Sequence, residues 1–111
     1  MKYVYRMENE RGQGPYGHSP ISVWAPNGHA DSAHPDIIED CLTQEYYEVA
    51  KHTGSKKDVL FACPTLKALH QWFSLRERRA LRRLGFTVKV VPAKVVVLGL
   101  SGRQCIFVRG E

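Results

Sequence analysis

The chain opens on an alternation of side chains. Over residues 2–8, Tyr3, Tyr5 and Met7 fall on one face and Val4 and Arg6 on the other. That two-residue period is the pattern of a half-buried strand. Residues 9–34 lose the pattern, because Gly12, Gly14, Pro15, Gly17, Pro20, Pro26 and Gly28 interrupt it. Glycine and proline at that density mark turns. Tyr16, Ile21, Val23 and Trp24 lie in the same stretch, so it reads as a long loop packed onto a domain, a kind of segment that often carries function. Ile21–Trp24 also fits a short strand.

A helical period follows over residues 36–52. Pro35 and Asp36 suit its first turn. Ile38, Cys41, Leu42, Tyr46 and Val49 make one stripe that only Glu45 breaks, and Gly54 suits the end. Residues 58–63 read as a strand. Pro64 or Thr65 opens a second helix, with Leu66, Leu69, Trp72 and Phe73 on one face. Residues 75–84 continue it or bend into a third, anchored by Leu81 and Leu84, with Gly85 closing it in a left-handed turn. Phe86, Val88 and Val90 alternate as a strand until Pro92 forces a bulge, an edge or a strand change. Lys94–Leu98 form another strand or the second half of a bent one, residues 99–102 a hairpin loop, and residues 103–109 the last strand. In that strand Gln104, Ile106 and Val108 face one way, and Cys105 and Phe107 the other. The pattern predicts an α+β fold: an antiparallel or mixed sheet with two to three helices.

Length and composition keep the picture simple. A chain of 111 residues, 43% hydrophobic, suits a single domain over 1–111 with one core. No apolar run approaches the roughly 20 residues that span a bilayer, and the N-terminus has no signal-peptide core. A cytoplasmic protein without membrane contact is expected. Cys41, Cys63 and Cys105 are an odd, widely spaced set with no CxxC, which predicts three reduced thiols. The five histidines show no zinc spacing, so no metal is expected.

Charge narrows the choice of partners. The net charge of +5 favours an acidic protein surface or nucleic acid. Its densest source is Arg76-Glu77-Arg78-Arg79-Ala80-Leu81-Arg82-Arg83. On a helix Arg76, Arg79 and Arg83 share a face, and their guanidinium forks suit phosphate or carboxylate. These three are the candidate partner-binding residues, against the simpler reading of a solvated helix face. Aromatic residues that would stack on single-stranded bases are missing from the segment.

The order of elements adds a resemblance. Arg6 follows Tyr5 on the first strand, a long loop follows, Cys63 and Thr65 flank a strand-to-helix junction, and Gln104 begins a late strand. This order resembles the small ADP-ribosyltransferase-like domains. The resemblance implies an NAD-dependent transferase, or a degenerate descendant that still binds a nucleotide. In it Arg6 would hold NAD, Cys63 or Thr65 would frame the nicotinamide pocket, and Gln104 would stand in the position of the catalytic Glu. An amide there can bond a ribose hydroxyl but is no carboxylate base.

The chain also resembles small bacteriophage-encoded proteins of unassigned role. The matching residues are Tyr5-Arg6-Met7-Glu8 with Gly12, Gly14 and Pro15, the run from Phe61 to Phe73, and Gly85-Phe86 with Gln104 and Phe107. That resemblance implies a protein that binds and inhibits a host defence factor without catalysis. A nucleic-acid-binding module using the Arg76–Arg83 helix is the third reading.

Overall fold

Alternation at both ends of the chain and helical spacing between them give an α+β fold. A computed structural model describes residues 2–15 and 40–110. Their elements are β1 (Lys2–Glu8), α1 (Thr43–Thr53), a 3-10 turn (Lys56–Asp58), β2 (Leu60–Ala62), α2 (Leu66–Trp72), α3 (Leu75–Arg83), β3 (Thr87–Leu98) and β4 (Cys105–Arg109). Among the described residues, no helix is long and apolar enough to cross a membrane.

The strands form one antiparallel sheet in the order β1-β3-β4-β2. The sheet curls until its outer strands meet. Tyr5 and Cys63 exchange backbone hydrogen bonds, with N–H to O distances of 2.9 and 2.8 Å. The curl comes from β3. Its first half, Thr87–Ala93, pairs with β1, and its second half pairs with β4 after a register shift between Ala93 and Val95. Pro92 sits at this bend, as its missing N–H requires. Its carbonyl accepts from Gly110 N at 2.8 Å.

Curling gives the sheet two different faces. The inner face packs Val4, Ala62, Val91, Ala93, Cys105 and Phe107 together. Outside, α2 and α3 cover Met7, Cys63 and Phe86 with Ala68, Leu69, Phe73 and Leu81. Helix α1 covers Ile106 and Val59 with Leu42 and Ala50. Helices α2 and α3 each open on a side-chain cap. The Thr65 hydroxyl accepts from Ala68 N at 3.0 Å. Ser74 and Glu77 form a reciprocal capping box, which ends one helix and starts the next at a single point.

The helix expected over 36–52 is found as Thr43–Thr53, and residues 36–39 lie outside the described residues. Its start is late because Asp40 is used elsewhere. The buried Asp40 carboxylate accepts from Ser101 N at 2.5 Å and Ser101 Oγ at 3.0 Å, and the Asp40 carbonyl accepts from Leu100 N at 3.0 Å. Cys41 then takes a left-handed φ of 57°, outside any helix. Asp40 thereby clasps the β3–β4 hairpin, and it needs Gly99 beneath it, where a Cβ would overlap the carboxylate. Gly99→Ala is expected to cost about 1–3 kcal/mol, the usual scale of overpacking, as a lower midpoint in urea unfolding. An unchanged midpoint would mean that the clasp is dispensable.

Candidate functional site

Strand alternation puts Val4, Arg6 and Glu8 on the inner side of β1, and Cys105, Phe107 and Arg109 on that of β4. Arg6 lies with Cζ 5.5 Å from the centroid of the Phe107 ring, a cation–π distance. Its Nη1 donates to the Phe61 carbonyl at 3.1 Å, on the strand across the seam from β1. Its Nε is 2.9 Å from Glu8 Oε2, a charge contact without hydrogen-bond alignment. Glu8 Oε2 also receives Arg109 Nη2 at 2.5 Å. Arg6 and Glu8 side chains are 10% and 5% exposed and that of Arg109 is 39% exposed, so one buried carboxylate is shared by a buried guanidinium and one that reaches solvent. Burial lowers the Arg6 pKa from its ordinary 12.5, with Arg109 acting in the same direction and Glu8 against it.

The glycine-rich turn closes over this cluster. Asn9 Oδ1 accepts from Arg11 N at 2.9 Å and Gln13 N at 3.0 Å, and Asn9 N donates to Gln13 O at 3.0 Å. The tight loop carries the Gly12 carbonyl to 3.2 Å from Arg109 Nη2. It also brings Gly14 so close to Arg6 that a Cβ there would lie 2.9 Å from Nη2. Residues 9–15 thus cover Arg6. The continuation of the loop through residue 34 lies outside the described residues.

The candidate cofactor-binding residues take these places. Arg6 is committed through Nη1 and Nε to Phe61 and Glu8. Cys63 pairs with Tyr5 at the seam and lies on the outer face, buried, with its thiol pushed up to about 12 by burial and by Cys105. Such a thiol carries no thiolate at neutral pH. The Thr65 hydroxyl caps α2. Gln104 is buried one residue before β4. Alternation sets it with Ile106 and Val108, on the opposite face from the Phe107 ring over which Arg6 lies. Among the described residues, no group of three His, Cys, Asp or Glu side chains could hold a metal ion. Cys41, Cys63 and Cys105 are free thiols.

The candidate partner-binding residues are brought together. Leu81 anchors α3 in the core, so Arg76, Arg79, Arg82 and Arg83 are exposed. Arg78 turns back, its Nε donating to the Phe73 carbonyl at 3.1 Å. Among the described residues, Arg76, Arg79, Arg82 and Arg83 form no ion pair. Residues 76–83 hold five arginines against one glutamate, so +4 of the chain's +5 sits on this one helix. Leu75 is 52% exposed at its start and Leu84 41% exposed just past its end. Leu84 is thus no core anchor as expected; the helix ends one residue earlier and turns it to solvent. Arg109 and Asp40 were not singled out in the sequence, and Glu8 entered only within the Tyr5–Glu8 match, without a site role. The inward parity of Glu8 and Arg109 was the available signal for that pair.

No curated protein and no solved structure matches the chain. The resemblance to ADP-ribosyltransferase-like domains therefore gains no support from relatives. One family model does match, that of the Bacteriophage T4 Y00F protein, and it spans residues 1–111. The chain belongs to this bacteriophage protein family.

Proposed function

We propose that this phage-family protein is a non-catalytic binding protein whose exposed arginine face on α3 docks on an acidic protein of the infected host and blocks it by occupancy. The observation that carries the reading is the concentration of +4 on one solvent-facing helix, with no acidic neighbour paired to Arg76, Arg79, Arg82 or Arg83 among the described residues. Exposed Leu75 and Leu84 favour a protein over nucleic acid, because arginine beside apolar side chains is the make-up of protein interfaces. A phosphate-tracking surface gains nothing from such leucines. The transferase reading is less well supported. It needs an arginine free to hold NAD and a carboxylate base, whereas Arg6 is occupied by Phe61 and Glu8 and residue 104 is an amide. A host defence factor fits the partner class expected of small phage proteins.

The test is retention from host extract, with and without nuclease treatment, on the immobilised chain. Wild type should retain one acidic protein at low salt and release it as salt rises. Arg76→Gln/Arg79→Gln/Arg83→Gln should weaken binding of that protein, once purified, by about a hundredfold, on the scale of 1 kcal/mol for each lost charge-assisted contact. Equal retention by wild type and triple variant would remove α3 as the binding surface. Retention that disappears on nuclease treatment would replace the protein partner by nucleic acid.

A further inference from the structure

A second surface, independent of the arginines, lies along β3. Residues Thr87–Ala93 are paired on the β1 side, but among the described residues no strand pairs with Lys94–Leu98 on that side. Hydrogen-bond directions follow from the neighbouring ladder. Gly110 N donates to Pro92 O, so alternation along β4 turns Val108 and Ile106 toward β3. Their partners Val95 and Val97 therefore bond to β4. The N–H and C=O of Val96 and Leu98 then point outward from the sheet. A row of outward backbone groups is a template for another strand. Sheets usually guard such an edge with proline or lysine. Here Pro92 and Lys94 stand at its start, and Val95-Val96-Val97-Leu98 follow unguarded, with Leu98 56% exposed.

We infer that the Lys94–Leu98 edge of β3 is a strand-addition site that takes an extended polypeptide segment of a partner protein. The outward backbone groups select an extended chain, and the apolar edge selects β-branched or aromatic residues at alternate positions. Lys94, exposed at the start of this edge, selects an acidic residue at the end of the segment that lies beside it.

The probe is a displayed library of random nine-residue peptides, selected on the whole chain. Peptides alternating β-branched or aromatic residues, with an acidic residue at one end, should be enriched. A synthetic member titrated into labelled protein should shift the amides of Val96 and Leu98 most and slow their hydrogen exchange. Leu98→Pro removes an outward donor without removing a bond to β4, so it should weaken the peptide at least about tenfold with little change in melting temperature. Lys94→Glu keeps the backbone intact and should weaken the acidic peptides alone. The inference is overturned if no such peptide is enriched, if the shifts fall on α3, or if both variants bind as wild type does. It is also overturned if the free protein is a dimer joined through this edge.

Discussion

Glu8→Ala is expected to lower the unfolding free energy by about 3–5 kcal/mol, the scale for leaving a buried charge without its partner. The carboxylate lies between Arg6 and Arg109, 2.9 Å from one and 2.5 Å from the other. Removing it leaves the Arg6 guanidinium, only 10% exposed, with Phe61 O and the Phe107 ring and no counter-charge. Water cannot easily replace the carboxylate, because residues 9–15 cover the site and Gly14 packs against Arg6. Arg6→Met combined with Glu8→Leu should recover much of the loss, since apolar side chains of similar volume often replace a buried ion pair without penalty. Urea unfolding with an unchanged slope is the measurement. A loss below about 1 kcal/mol, the scale of an exposed pair, would show that the cluster is not what holds the β1–β2 seam.

Alkaline pH is expected to erode the stability of this protein steadily from about pH 9 upward. Burial pushes Cys63 up to about 12 from an ordinary 9.0, with Cys105 adding to the rise. Burial does the same to Cys105, against a lowering by a hydrogen bond from the Ala62 backbone. Above pH 9 the unfolded chain releases these two protons while the folded chain keeps them. The stability they contribute is therefore complete below pH 9 and is lost as pH rises toward 12. Each thiol removes about 1.4 kcal/mol per pH unit in that window. Two thiols together remove at most about 8 kcal/mol between pH 9 and 12, a large share of a typical domain stability of about 5–15 kcal/mol. Cys63→Ala should start from lower stability at neutral pH, because it opens a small cavity, yet fall with a shallower slope above pH 9. Melting temperatures read at half-unit steps would show this. Parallel slopes for variant and wild type would assign the alkaline loss to other groups.

Much of the fold was legible because its signals are local. The alternation in β1 and β4, the bend at Pro92 and the left-handed Gly54 and Gly85 need no distant partner to be read, and each is found. What was not legible depends on contacts far apart in sequence. Asp40 leaves the expected helix because its partner is Ser101, 61 residues away. Glu8 and Arg109 meet across 101 residues, and only the curl of the sheet joins them. The candidate site divides in the same way. The arginine face of α3 follows from helical spacing alone. Whether Arg6 would be free for a ligand depended on Phe61, Glu8 and Gly14, none of which the order of elements reveals. The strand-addition edge was hidden too, because Val95-Val96-Val97-Leu98 reads equally well as a central strand until its neighbours are known.

The central claim, that the arginine face of α3 is the binding surface, is tested most directly by calorimetric titration of the purified host protein into two forms of the chain. One is wild type and the other is Arg76→Glu/Arg79→Glu/Arg83→Glu, each with its melting curve measured and each titrated at low and at moderate salt. Binding to wild type should weaken as salt rises, and the charge-reversed form should bind more than about a hundredfold more weakly at low salt while melting as wild type does. Equal affinity of the two forms at low salt would contradict the account.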